Sequence, residues 1–515
     1  MGNGVQGTIS QKLLSLKRQR IMKKLHFCGK IVLFLAVILP FATNRSYAEE
    51  ECAPDKAWLH PTSPPDLTLT PKSHPEGDDC PFYQAAWNTF LYATNPDGGL
   101  PAFVSKFDTI ESALGTAAKG KFPSQKLGKL ALLPRGDKQP GHAQINAGVA
   151  QAGDLAGILI DRDGYPVYYA IHMDPFVFTK FLRDNNLINS DPKVVKSAVQ
   201  SFDKNKGFPA GAIELKSAWK VVPAGSKLDE KYFTVDAQVP RLKKASGADP
   251  DVVIDTGSPP LDVRVALVAI HVVFVLGNHS EFIWSTFEHT DEDGNPDSAP
   301  NGPIPNSNPP PLQTSEINAD DHFLFFHQHT TVGGGNKASS PAERIASFDE
   351  ATQRFIGKTD KIPSSIYRLY PFSKVNGKDD ATKKVIPANK LDGQIVAVNK
   401  GMGDLFKTEV ANGTADKRRY YRLVGAVWLD KPSETFKPSK PFKNGLTETS
   451  DDGIVAGEDA LSSTAMESFT QKSDKNCFAC HDTQDIPIDK DFTIGGKLIN
   501  VSHIISKYLI DAPKP

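Results

Sequence analysis

The stretch VALVAIHVVFVL, residues 265–276, is the longest apolar run in the chain outside its N-terminal region. It is rich in β-branched residues and is interrupted by His271, a pattern that favours a buried strand over a membrane span. Residues 263–289 as a whole contain a break at Gly277-Asn278, which predicts two consecutive strands. We therefore expect a sheet at the centre of the protein.

Further strands and short helices are predicted on both sides of this pair. Apolar and charged residues alternate between Ile213 and Val221, which is typical of a strand with one solvent-exposed face. The other predicted strands are residues 394–398, residues 420–429 and a hairpin made of residues 158–160 and 166–171. Helices are predicted to begin at Pro81, at Asp174-Pro175 and at Asp191-Pro192, and a final helix is predicted at residues 501–510. A further amphipathic helix is predicted to follow the capping box Ser340-Pro341-Ala342-Glu343 and to include Ile345, Phe348 and Phe355.

The composition of the chain sets limits on its class. Its 515 residues include 59 lysines and arginines against 60 aspartates and glutamates. This balance argues against a large nucleic-acid surface, because binding to phosphates needs many uncompensated cations. The 39 glycines and 39 prolines favour a turn-rich architecture over a helical bundle. The patterns together predict the α+β class, with a β-rich mixed body, short helices and a C-terminal helical segment.

The N-terminal region has the features of a secretory signal peptide. An apolar stretch at residues 31–42 follows Lys23, Lys24 and Lys30 and precedes the small-x-small signal Ser46-Tyr47-Ala48. The stretch spans only about 18 Å as a helix, too short for a bilayer, although an uncleaved anchor is the alternative. Removal of residues 1–48 leaves 51 basic against 60 acidic residues, a net charge of −9. We expect an exported, acidic protein with no transmembrane span after cleavage.

The region that follows, residues 49–130, contains Cys52 and Cys80 before the helix predicted from Pro81. In an exported protein these two cysteines are expected to form a disulfide. The bond would stabilise the fold by about 3 kcal/mol through closure of the loop between them.

The motif that carries chemistry is CFACH, residues 477–481. Cys477, Cys480 and His481 have the C-x-x-C-H spacing that attaches c-type haem, in which two thiols bind the porphyrin and the adjacent imidazole binds the iron. A zinc site would need a second pair of ligands with matching spacing, and a thioredoxin-type pair would need a βαβ context. The sequence therefore predicts one covalently bound haem c.

Several tracts resemble a known family. Residues 461–471, LSSTAMESFTQ, lead into NCFACH at residues 476–481, and this region looks like the C-terminus of large mono-haem proteins of Gram-negative bacteria known only as cytochrome c family proteins. Residues 284–289, WSTFEH, and residues 82–90 with Trp87 are similar to the body of that family and occur in the same order. The resemblance implies a periplasmic location, haem binding and electron transfer, and it implies no substrate.

The sixth ligand of the iron is left open by the sequence. No methionine follows His481, and 34 residues remain. His503, in the predicted final helix, is one candidate, and Met466, on a short helix predicted to begin at Thr464, is a weaker one. Otherwise the body supplies the ligand or the position stays open, which would permit peroxide or oxygen chemistry.

Three functions are compatible with these features. The haem segment, residues 451–515, is short for an independent domain. We therefore expect an α+β body at residues 131–450 to cover part of it. The leading hypothesis is a periplasmic mono-haem electron carrier with a redox partner protein, which favours a non-enzymatic role but leaves an enzymatic one open. The alternatives are a haem-dependent oxidoreductase whose body binds a small molecule, and a haem-based sensor.

Overall fold

The computed structural model describes residues 52–68, 79–114, 130–131, 158–244, 252–255, 257–277, 279–303, 309–320, 322–337, 345–359, 362–370, 378–379, 384–385, 393–413, 415–429, 455–458, 460–472 and 477–511. The α-helices in these ranges are α1 (Cys80–Ala93), α2 (Ala102–Lys106), α3 (Ile110–Leu114), α4 (Phe178–Asp184), α5 (Pro192–Ser201), α6 (Gly393–Ala411) and α7 (Ile504–Asp511). The strands are β1 (Pro96–Asp97), β2 (Leu100–Pro101), β3 (Leu130–Ala131), β4 (Tyr168–Met173), β5 (Ile213–Val221), β6 (Thr234–Val239), β7 (Leu242–Lys244), β8 (Val252–Ile254), β9 (Leu261–Leu276), β10 (His279–His289), β11 (Ile345–Asp349), β12 (Arg354–Gly357), β13 (Lys378–Asp379), β14 (Lys384–Val385), β15 (Tyr421–Leu429), β16 (Val455–Gly457), β17 (Ile486–Asp489) and β18 (Phe492–Ile494). The predicted leader, residues 1–48, lies outside the described residues.

The apolar run at residues 265–276 forms most of β9, the central strand of an eight-stranded sheet. The main path of this sheet is β16-β15-β10-β9-β5-β4, and β6 pairs with both β9 and β3. All pairs are antiparallel except β3 with β6. The two predicted strands of residues 263–289 are confirmed as β9 and β10, and the mixed, β-rich α+β class is confirmed.

Helices and loops cover both faces of the sheet. On one face α1 packs over β9 residues such as Leu267 and Phe274, and α6 packs against α1 and β15. On the other face α4, α5 and α7 share an apolar cluster with Val273 and Val275. This double coverage explains why β9 is apolar at nearly every position. The predicted disulfide is confirmed between Cys52 and Cys80, with a Cα–Cα distance of 5.3 Å, at the start of α1.

The hairpin predicted at residues 158–171 is confirmed by the bridge between Ile160 and Pro166, and its turn recurs elsewhere in the chain. Residues 161–166, DRDGYP, and residues 291–296, DEDGNP, fold in the same way. In each, the first aspartate accepts hydrogen bonds from the backbone N–H groups of the third and fifth residues. The glycines adopt φ of +88° and +87°, a conformation that favours glycine. The acidic residues thus serve to form turns.

Two predictions of secondary structure in the body, residues 131–450, were wrong. Residues 394–398, predicted as a strand, belong to helix α6, where Ile395, Val398, Met402 and Phe406 recur at helical spacing and face the core. The five-residue window was too short to show that period.

The segment that contains Ile345, Phe348 and Phe355, predicted as one amphipathic helix, is instead the hairpin β11–β12. Phe348 and Phe355 are paired across the two strands, with ring centroids 4.8 Å apart. A spacing of seven residues suits one face of a helix and also opposite positions of a short hairpin. The capping box itself lies outside the described residues.

Of the two short helices predicted in residues 174–201, α5 is confirmed with Asp191 as its N-cap, whose side chain accepts a hydrogen bond from the Lys193 N–H. The helix predicted at Asp174 begins later, at Phe178. The buried Asp174 carboxylate accepts hydrogen bonds from the N–H groups of residues 176, 177 and 178, which holds residues 175–177 as a turn.

The described residues, from Cys52 to Asp511, form one compact unit. None of the described helices combines the length and the apolar character that crossing a membrane requires.

Candidate functional site

The face of the sheet that carries Trp284 is covered by the C-terminal part of the chain. Residues that are directly paired in antiparallel strands point to the same face, so the register defines rows of side chains across it. One row consists of Met173, Glu214, Val273, Trp284 and Val427. The next row, about 7 Å along the strands, consists of Ile171, Lys216, His271, Thr286 and Gly425.

The CFACH motif forms a tight turn over this face. Cys477–Ala479 is a 3₁₀ helix, and the N–H groups of Cys480 and His481 both donate to the carbonyl of Cys477, at 3.2 and 2.9 Å. Phe478 is fully buried in the apolar cluster that also contains Trp284. Cys477 and Cys480 form no disulfide, and both are partly exposed. The turn therefore anchors the motif through Phe478 and presents two thiols next to a histidine.

The imidazole of His481 is held on its edge and on its faces. Its Nδ1 lies 2.9 Å from the carbonyl oxygen of Val501, which accepts the hydrogen bond. The ring centroid of Trp284 is 4.1 Å away at an interplanar angle of 35°, and that of His503 is 4.3 Å away at 22°. The tautomer that donates from Nδ1 carries its lone pair on Nε2, the atom that would bind a metal.

The residue next in sequence, Asp482, is partly buried, and this burial raises the pKa of its carboxyl group. A backbone bond from Gln484 acts in the opposite direction and lowers it.

The structure brings together His481 and His503, one of the two predicted candidates for the sixth ligand. His503 lies directly before α7, and its carbonyl accepts hydrogen bonds from the N–H of Lys507 at 2.8 Å and the hydroxyl of Ser506 at 3.0 Å. The predicted final helix is thus present, although it begins at Ile504 rather than at residue 501. The rest of the predicted helical segment also contains the hairpin β17–β18, which was not predicted from the sequence.

Met466, the weaker candidate, lies in a different apolar cluster. It is fully buried with Tyr169, Ala269 and Phe325, whereas Cys477 packs against the cluster of Trp284. The short helix predicted around Met466 was wrong, because residues 464–466 form a turn. The N–H and hydroxyl of Thr464 donate to the Glu288 carboxylate, which ties this segment to the sheet.

A buried ion pair lies beneath this segment and was not predicted from the sequence. The carboxylate of Glu288 and the guanidinium of Arg368 are both completely buried and form a salt bridge. Ser298 and Thr464 also bond to Glu288. The sequence signal for this ion pair was Glu288, an acidic residue at an inward-facing position of an apolar strand. Its partner, Arg368, lies 80 residues away and could not be identified from the sequence.

A second polar cluster links β9 to the segment just before the CFACH motif. Nδ1 of His271 lies 2.9 Å from the hydroxyl of Thr286, and its Nε2 lies 3.2 Å from a carboxylate oxygen of Glu467. The His271 and Glu467 side chains retain 12% and 15% exposure, so both are reachable from solvent. An imidazole bonded to a carboxylate can accept or donate a proton. The histidine that interrupts the apolar run was the sequence signal for this cluster.

The residues at the motif fit a c-type haem. Two thiols outside any disulfide stand on one turn, the neighbouring imidazole has its Nδ1 bonded to a backbone carbonyl, and an indole packs on that imidazole. Metal-binding histidines are commonly oriented through a hydrogen bond from their other ring nitrogen. Among the described residues, no group of three or more His, Cys, Asp and Glu side chains is arranged to hold a metal ion.

No protein-family model matches the chain, and neither the curated proteins nor the solved structures contain a match to it.

Proposed function

We propose that this protein is an exported, periplasmic mono-haem c-type cytochrome that transfers single electrons to a partner protein. The observation that carries the proposal is the CFACH turn, in which the imidazole of His481 donates to the carbonyl of Val501 and lies against Trp284. When bound, a c-type haem supplies an iron that alternates between ferrous and ferric states, as single-electron transfer requires.

The chain's own residues would perform three tasks. Cys477 and Cys480 would hold the porphyrin through thioether bonds, and His481 would bind the iron through Nε2. The Val501 carbonyl would keep Nδ1 protonated and so raise the basicity of the ligand. The apolar cluster around Phe478 would exclude water from one side of the site and help to set the potential. An acidic surface, expected from the mature charge of −9, would favour a basic redox partner.

The first experiment tests covalent attachment. The full chain would be expressed in a Gram-negative host with an active cytochrome c maturation system and purified from the periplasm. We expect haem staining that survives denaturation and reduction, together with a reduced-minus-oxidised spectrum of c type. The Cys477→Ala, Cys480→Ala variant should lose the stain, and a Cys52→Ala, Cys80→Ala variant should keep it. Absence of covalent haem in the wild type, or bound zinc in its place, would refute the proposal.

A second candidate function, an oxidoreductase, is favoured by the pair formed by His271 and Glu467. A proton-accepting pair one row from Trp284 is useful for small-molecule chemistry and is unnecessary in a simple carrier. If the protein is an enzyme, His271→Gln should lower its turnover with peroxide at least tenfold while leaving the haem content unchanged. A wild-type protein whose iron binds neither cyanide nor peroxide would exclude this candidate.

A further inference from the structure

We propose that Trp284 and His503 are positioning residues that hold the His481 imidazole between them, so that His503 is not the sixth ligand of the iron. The inference rests on the proposed haem function and specifies the surroundings of the same site. It differs from the simplest expectation from the sequence, in which a histidine downstream of the motif completes the coordination.

The two rings occupy opposite faces of the imidazole. Their centroids lie 4.1 and 4.3 Å from that of His481, and their planes are within 35° of its plane. Two rings at this distance and inclination have room only on opposite faces, because stacked aromatic rings approach no closer than van der Waals contact. With Nδ1 bonded to Val501, the imidazole is restrained at one edge and on both faces.

An irregularity in the backbone of β10 places Trp284 against the His481 imidazole. The pairing with β9 shifts register between His279 and Ile283, and Phe282 inside this bulge has φ +67°. A left-handed conformation is strained at a bulky, fully buried residue, and such strain occurs mostly at functional positions. The bulge lets the indole N–H of Trp284 donate to the carbonyl of Glu281 at 2.9 Å. This bond fixes the indole plane.

His503 is held equally well from its own side. Besides the two bonds to its carbonyl, the preceding residue Ser502 donates from its hydroxyl to the Glu214 carboxylate at 2.7 Å. Glu214 lies in the same row of the sheet as Trp284. The two residues that flank the imidazole are therefore attached to one rigid element.

This packing argues against His503 as the sixth ligand. If His481 bound a haem iron through Nε2, a ring packed on a flat face of its imidazole would lie beside that imidazole. A sixth ligand would instead have to approach the iron from the side away from Nε2, which the stacked ring of His503 would not reach. Its role is to fix the plane of the His481 ring.

The test uses the periplasmic holoprotein and variants that separate stacking from ligation. His503→Phe keeps a flat ring but has no nitrogen ligand, whereas His503→Ala removes both. Trp284→Leu removes the ring on the other face. His329→Ala is the matched control, because that histidine is 77% exposed and lies far along the chain. The measurements are haem staining, optical spectra with and without carbon monoxide, electron paramagnetic resonance of the ferric state, and the midpoint potential.

We expect His503→Phe to retain the wild-type spin state and the wild-type response to carbon monoxide. His503→Ala and Trp284→Leu should shift the g-values and the midpoint potential, because the imidazole plane is no longer fixed, and His329→Ala should shift neither. A change of spin state in His503→Phe would overturn the proposal, as would wild-type g-values and potential in both His503→Ala and Trp284→Leu. All variants keep both thiols, so none of them tests haem attachment. Absence of haem staining in the wild type would instead refute the proposed haem function.

Discussion

A buried histidine on the opposite face of the sheet should make the protein sensitive to acid. His172 on β4 is fully buried, its ring packs edge-on against Phe103 at 5.2 Å, and neither of its nitrogens has a hydrogen-bond partner. Burial disfavours the charged imidazolium and lowers the pKa of His172 from 6.5 to about 3. The unfolded chain therefore binds a proton at this residue at a higher pH than the folded chain.

The sign and size of the effect follow from proton linkage. As the pH falls below 6.5, the unfolded state gains a proton that the folded state does not bind until about pH 3, so stability is lost through this window. The loss amounts to about 2 kcal/mol at pH 5 and approaches about 5 kcal/mol once the pH is below both pKa values. Near pH 7.5 the contribution is close to zero.

Urea unfolding of the mature protein at pH 7.5 and pH 5 measures this difference. His172→Leu removes the titrating group, so the wild type should lose about 2 kcal/mol more than the variant between the two conditions. His172→Gln, which also cannot titrate, should show the same reduced pH dependence as His172→Leu even if its absolute stability differs. Equal pH dependence in the wild type and both variants would refute the reasoning.

Three further predictions concern the disulfide, the buried ion pair and Met466, the weaker candidate for the sixth ligand. Replacing Cys52 and Cys80 by serine removes a disulfide with a sequence separation of 28 residues. This change should lower the free energy of unfolding by about 3.6 kcal/mol. A loss below about 1 kcal/mol in a urea titration would contradict the prediction. Glu288→Gln leaves the buried cation of Arg368 without its carboxylate and should cost about 3–5 kcal/mol in the same assay, and an unchanged midpoint would show that the pair is not needed. Met466→Leu should leave the optical spectrum of the ferric protein as it is in the wild type, whereas loss of a methionine-ligand band would show that this residue reaches the iron.

The parts of the fold that the sequence predicted are those in which the signal is local. β9 and β10 were recognisable because a strand buried on both faces needs a continuous apolar run, and Asp191 marked the start of α5 because a cap acts within one turn. The disulfide followed from the export signal and the number of cysteines. Where the local signal fitted two periods, as at residues 345–355, the prediction was wrong.

The site divides in the same way. The spacing of Cys477, Cys480 and His481 is a local pattern imposed by the chemistry of attachment, so it could be found without a structure. Trp284 and Glu467 act on this region from other elements of the fold. Glu467 meets His271 across 196 positions of sequence, and no local pattern carries that information.

The sequence by itself determined the central strands, the mixed class, the disulfide and the CFACH motif, because each depends on side-chain chemistry or periodicity within a few residues. Only the tertiary structure decided what surrounds His481, which helix or hairpin the ambiguous segments form, and which charges are buried in pairs. The physical reason is that burial, stacking and ion pairing are fixed by strand register and by the bulge before Trp284. These bring together groups that are distant in the chain.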